Sequence, residues 1–146
     1  ALISMKILSV IILALVLFLI FRFSMLGKKS QSMNPLLGIE NGKLRPCGPK
    51  PNCASGSFPA VDKNLLIEAV KEIKNAKVII ISENYLHATI TSSLFGFVDD
   101  LEFYFPPGEP VIYYRSASRV GHSDLGQNQK RINQLTRRLN VFLSVW

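Results

Sequence analysis

Val98-Asp99-Asp100-Leu101-Glu102-Phe103-Tyr104-Phe105, then Pro106-Pro107-Gly108-Glu109-Pro110, then Val111-Ile112-Tyr113-Tyr114-Arg115-Ser116-Ala117: two runs rich in aromatic and β-branched residues flank a break made of proline and glycine. Such runs suit a pleated, half-buried surface, and the break reverses the chain, so the stretch predicts two antiparallel strands. Alternation puts Phe97, Asp99, Leu101, Phe103 and Phe105 on one face and Asp100 with Glu102 on the other. A turn that sets Phe105 opposite Val111 leaves Asp99 and Arg115 on one face, a diagonal step apart. A buried Asp99–Arg115 ion pair is therefore expected, with Asp100 adding to the charge balance. Beyond it the chain runs Ser118-Arg119-Val120-Gly121-His122-Ser123-Asp124-Leu125-Gly126-Gln127-Asn128, an unusual density of polar groups next to apparently buried sheet.

Working outward, Asp62 is a good N-cap for a helix to about Lys74, with Leu65, Leu66, Ala69, Val70 and Ile73 as its apolar stripe. Val78-Ile79-Ile80-Ile81 suits a buried strand, and Ser82-Glu83-Asn84 turns it into Tyr85 to Thr91. There Leu86, Ala88 and Ile90 share one face, and His87 lies on the wetter one. On the other side, Ser123 or Asp124 caps a last helix in which Leu125, Ile132, Leu135, Leu139 and Phe142 keep helical spacing, with Lys130, Arg131, Arg137 and Arg138 outside. The expected fold is α+β: an antiparallel sheet of about four strands packed against two helices.

Ile7 to Phe21 is apolar except for Ser9, and with its neighbours it is long enough to cross a bilayer. Read from Met5-Lys6 it also looks like a signal peptide, but Arg22-Phe23-Ser24-Met25-Leu26 is too bulky for a cleavage site, so an uncleaved single-pass anchor is expected. The organisation is thus residues 1–27 as anchor, with 2–26 in the membrane, 28–43 as a Gly/Ser/Gln/Asn/Pro linker, and 44–146 as the domain.

Between linker and first helix, Leu44-Arg45-Pro46-Cys47-Gly48-Pro49-Lys50-Pro51-Asn52-Cys53 is stiffened by prolines and holds both cysteines. A Cys47–Cys53 bridge would close a ring worth about 2.4 kcal/mol of chain entropy. Two reduced thiols remain the alternative, and zinc is weaker because the spacing is wrong and the histidines are distant. Counting positive charges near the anchor favours a cytoplasmic domain, whereas a disulfide favours periplasm or organelle lumen; we follow the cysteines. The net charge of +7 is scattered, without the basic and aromatic interleaving that stacks bases, so nucleic acid is not an expected partner. Anionic lipid head groups are an expected contact of the basic helix face.

Four strings in order, Leu44-Arg45-Pro46-Cys47 with Pro51-Asn52-Cys53, Tyr85-Leu86-His87-Ala88, Phe95-Gly96-Phe97-Val98-Asp99-Asp100, and Arg115 to Gly126, resemble the domain of unknown function 1499 family over roughly Leu44 to Leu139. The resemblance implies a small membrane-anchored or exported protein of bacteria or photosynthetic organelles and brings no established reaction. The chain departs from the family in Ala54-Ser55-Gly56 after the second cysteine, in His122 where Tyr is usual, and in Gln129 where Arg is usual.

Ser118, His122 and Asp124 supply the residue types of a hydrolytic triad, but no nucleophile-elbow pattern surrounds them. Asp99, Asp100 and Glu102 cannot all share one site, because alternation separates them. No cofactor or metal site is read. Arg115 and Arg119, with Ser116, Ser118, His122, Asp124 and Asn128 ahead of a helix N-terminus, form the candidate binding set, suited to a carboxylate or phosphate. The first expectation is a non-catalytic accessory or interaction protein partnered with other membrane proteins. An anion-binding module comes second and an enzyme of unknown reaction third.

Overall fold

The computed structural model describes residues 1–142 and the backbone of 144–145. Helix α1 (Leu2–Ser32) leads into a hairpin of β1 (Ile39–Glu40) and β2 (Lys43–Leu44), then β3 (Cys53–Pro59), α2 (Lys63–Lys71), β4 (Ala76–Ile81), β5 (Tyr85–Thr91), β6 (Val98–Tyr104), β7 (Val111–Ser118), α3 (Gln127–Leu139) and the short β8 (Ser144–Val145). The fold is α+β as expected. β4 to β7 form an antiparallel meander, and β3 adds itself beside β7 to give the order β4-β5-β6-β7-β3-β8.

β3 is a strand that composition conceals. Its Ser-Gly-Ser centre has little strand propensity, yet it pairs along β7 from Cys53↔Ala117 to Pro59↔Val111, and tertiary pairing outweighs local preference. Ala54, Gly56 and Phe58 point to one face, and Phe58 stacks on Tyr114 at 6.1 Å and meets Phe103 edge-on at 6.2 Å.

α2 and α3 both cover that face. Asp62 caps α2 as expected, its carboxylate accepting from Leu65 N at 3.0 Å. The buried stripe is Leu66, Ile67, Ala69 and Val70; Leu65, placed in it by spacing alone, is exposed. From α3 only Ile132, Leu135 and Leu139 reach the core with Leu86, Leu101 and Ile112, while Leu125 and Phe142 fall outside the helix and stay in solvent. Each fully buried Leu or Phe contributes about 1.5–3 kcal/mol. β4 departs from the expected buried strand: it is an edge, bulged between Val78 and Ile80, and Ile79, Ile80 and Ile81 are about half exposed.

α1 is a helix long and apolar enough to cross a membrane, and none of its apolar stretch is buried in the protein. Its last turns dock on the β5–β6 connection. Phe23 stacks on Phe95 at 5.5 Å and meets Phe97 at 6.4 Å; further along, Ser30 is buried, its Oγ accepting from Val98 N at 2.7 Å. Residues 28–32 are therefore helical, and part of the segment with linker composition is the β1–β2 hairpin. Backbone polar groups at the β6 end find partners in α1, which favours order over an extended tether.

Cys47 and Cys53 form a disulfide. It holds Asn52, whose carbonyl accepts from Ser118 N at 2.9 Å and from Asn128 Nδ2 at 3.2 Å, so the loop staples the end of β7 to the start of α3. Denatured, alkylated protein is expected to show no free thiol by mass. Replacing both cysteines by serine is expected to lower stability by about 2–3 kcal/mol, read from the denaturant midpoint. Two alkylated cysteines in freshly isolated protein would contradict the staple.

Candidate functional site

The sheet's second face, opposite α2 and α3, carries Tyr85 and His87 from β5, Asp100 and Glu102 from β6, and Arg115 from β7, with Arg119 just beyond. Apolar residues would be expected on a face this closed; Glu102 is 0% and Asp100 2% exposed. Two carboxylates out of water need full pairing.

Both are paired. Asp100 takes a two-pronged contact from Arg119, Nε to Oδ2 at 2.8 Å and Nη2 to Oδ1 at 2.9 Å, and His87 Nε2 lies 2.8 Å from Oδ1. Arg119 Nη1 donates onward to the carbonyls of Ser30 and Met33, each at 3.2 Å, at the end of α1. Glu102 Oε1 accepts from Tyr85 Oη at 2.5 Å and from Gly38 N at 2.7 Å, and Oε2 accepts from Arg115 Nη1 at 3.3 Å. The segment after α1 thus supplies partners on this face, and His87 is buried rather than wet. Arg115 Nε is a buried donor without a partner among the described residues, and nothing in the structure explains it.

The electrostatics follow. Burial alone would raise the Asp100 pKa, but the hydrogen bonds and charges of Arg119 and His87 outweigh it and hold the carboxyl below its usual value. The Asp100 hydrogen bond raises Arg119 in turn, against burial. Burial, then the Glu102 hydrogen bond and charge, push the Tyr85 phenol up, so it stays a neutral donor.

A second cluster lies across the sheet, where β7 leaves for α3. Asn128, fully buried, is its hub: Oδ1 accepts from Ser116 Oγ and Arg131 Nη1, both at 2.7 Å, and Nδ2 donates to Ser118 Oγ at 2.9 Å and to Asp124 Oδ2 at 2.6 Å. Asp124 also accepts from Gly126 N at 2.8 Å and Asn128 N at 3.0 Å, placing a carboxylate on the donors a bound anion would use. Desolvation would raise its pKa, yet those hydrogen bonds lower it. Asp99 belongs here, paired with Arg131 Nη2 at 2.6 Å.

The expected binding set is therefore split. Arg115 and Arg119 lie on one face and Ser116, Ser118, Asp124 and Asn128 meet on the other, while His122 is exposed and joins neither. The expected Asp99–Arg115 pair is corrected to Glu102–Arg115 and Asp99–Arg131. The cause is one residue of register: Tyr104 pairs with Tyr113 and Glu102 with Arg115, so β7 presents the opposite parity to β6 from that assumed. The stacked Tyr104 and Tyr113 rings, 6.2 Å apart, were the available signal, since aromatic cross-strand pairs fix register. The division of Asp99 from Asp100 and Glu102 between faces is as alternation required. Among the described residues no group of three or more His, Cys, Asp or Glu is placed to hold a metal.

A family model described as "Protein of unknown function (DUF1499)" matches residues 57–139, more than half of the chain. The match takes in both clusters and stops short of α1, the hairpin and the cysteines. No curated protein matches the chain.

Proposed function

Because the chain belongs to the family of proteins of unknown function DUF1499, whose description assigns no activity, we propose from its geometry a non-catalytic role: a membrane-anchored extracytoplasmic accessory protein that holds its domain in a set orientation against the bilayer for other membrane proteins to contact. One observation carries this reading. The Asp100–Arg119 pair ends on the carbonyls of Ser30 and Met33, so its hydrogen bonds are used to join helix to sheet. α1, unburied along its apolar length, then needs lipid or a partner helix around it. The Cys47–Cys53 bridge supports an oxidising compartment.

In membranes from the producing cell, the chain is expected to resist alkaline extraction, to have its domain protease-accessible from the non-cytoplasmic side, and to cross-link to another membrane protein in mild detergent. Release by alkali would sink the anchor. Cytoplasmic accessibility would reverse the orientation, and a cross-linked population of monomer alone would remove the accessory role.

A further inference from the structure

Where α1 meets the domain, a cavity of about 450 Å³ opens against Phe23 and Leu26 of α1, with Lys74 and Arg131 facing the carboxylates of Asp99 and Asp124 at its polar side. Lys74 and Arg131 also line a second hollow of about 570 Å³ between α2 and α3, so the two share a wall. The second hollow has the excess of positive charge that the first, with its two cations and two carboxylates, lacks: Lys74, Lys130, Arg131 and Arg138 face a single carboxylate, Glu72. Arg138 is satisfied by Glu72 at 2.7 Å and Arg131 by Asp99 at 2.6 Å. Lys74 and Lys130 have no carboxylate partner among the described residues, and both are exposed.

Two unpaired ammonium groups beside two paired guanidiniums make a concave positive field that an anion would relieve. The neighbouring wall identifies the anion's source. A small soluble anion gains nothing from Phe23 and Leu26, whereas a molecule with a phosphate next to an apolar body uses both halves. Lys28 and Lys29 follow Leu26 within one helical turn, so the hollow lies at the depth where α1 changes from apolar to basic. We propose that the paired hollows seat the head group of an anionic phospholipid from the bilayer that α1 crosses, with the phosphate at Lys74 and Lys130 and the glycerol end of the chains along Phe23 and Leu26. This rests on the membrane reading above and goes further by naming the lipid class and its residues.

The full chain, purified in detergent and reconstituted into nanodiscs, is tested with phosphatidylglycerol and phosphatidylcholine, and bound lipid is read by native mass spectrometry. Phosphatidylglycerol is expected to be retained in preference. Lys74→Glu and Lys130→Glu each change the charge by two units and should each weaken its retention by roughly 30-fold, taking about 1 kcal/mol per charge near an anionic surface and 1.4 kcal/mol per factor of ten. Arg137→Glu makes the same charge change on an exposed α3 residue outside the hollows and should leave retention unchanged. Circular dichroism melting midpoints unchanged from the parent check that these surface variants stay folded. Equal retention of the two lipids, or equal loss with Arg137→Glu, overturns the site. Displacement of phosphatidylglycerol by millimolar inorganic phosphate would reassign it to a soluble anion. Failure of the membrane reading is distinguishable, because it appears as release by alkali, independent of lipid class.

Discussion

Asp100→Ala is expected to cost the domain about 3–5 kcal/mol, the usual penalty for removing one partner of a buried ion pair. The change leaves Arg119, with 11% of its side chain exposed, facing an apolar methyl, and takes the acceptor from His87. Arg119→Met should cost a similar amount, and the double variant far less than the sum, because each single change leaves a buried charge that the double change does not. Denaturant midpoints on the full chain in detergent measure all three. Additive losses would mean that the two residues do not act as a pair. The exposed Glu72–Arg138 pair is the built-in contrast: at 66% and 52% side-chain exposure, Glu72→Ala should cost less than about 1 kcal/mol. The pair also sets an acid limit. The Asp100 carboxyl is depressed in the folded protein, so its contribution is complete above the ordinary carboxylate pKa of about 3.9 and is lost as pH falls through the lower folded value. Asp124 adds in the same sense. Asp100→Asn should therefore flatten the fall of stability below about pH 4, and an unchanged slope would assign acid unfolding to other carboxylates.

Gly27→Ala is the second change with a large expected effect, and its sign is informative. In an isolated helix alanine is favoured over glycine by about 1 kcal/mol. Here a Cβ at position 27 would overlap the Phe95 carbonyl oxygen, which is backbone and cannot turn aside. The helix must move off the β5–β6 loop, breaking the Phe23–Phe95 stack and the Ser30–Val98 hydrogen bonds. A net loss of about 2–3 kcal/mol is expected at this contact, typical of overpacking. Hydrogen exchange at the Val98 amide should then quicken by roughly 30- to 150-fold, since each 1.4 kcal/mol is a factor of ten. Exchange as slow as in the parent would mean that α1 does not dock at this loop. A gain in stability would mean that intrinsic helix propensity outweighs the contact.

Much of the fold was legible because it rests on periodicity. The Asp62 cap, the apolar alternation of Leu86, Ala88 and Ile90, the strand pair around Pro106 to Pro110, and the face-splitting of Asp99 from Asp100 all follow from local rules. What was hidden depends on distant partners. β3 is made by β7, since Ser55, Gly56 and Ser57 have little strand preference of their own. The ion pairs turn on the pairing register, and an offset of one residue sent Arg115 to Glu102 and left Asp99 to an arginine on α3. His87 looked solvent-facing because nothing in Tyr85 to Thr91 announces that Gly38 and the end of α1 close over the neighbouring carboxylates. The docking glycine was likewise unreadable, for Gly27 in a Gly-Lys-Lys string looks like the start of a tether.

The bulged outer strand β4 has a further consequence. An edge with an apolar run such as Val78-Ile79-Ile80-Ile81 is what a stray chain would use to extend a sheet, and half-exposed isoleucines would hold the newcomer there. The bulge between Val78 and Ile80 sets two residues against one on β5, which bends and over-twists the strand, so an incoming straight segment cannot match donors and acceptors along its length. Lys77 adds an exposed charge near the start of the same run. The irregularity that leaves β4 poorly buried thereby opposes growth of the sheet at the side of the domain farthest along the strand order from β8.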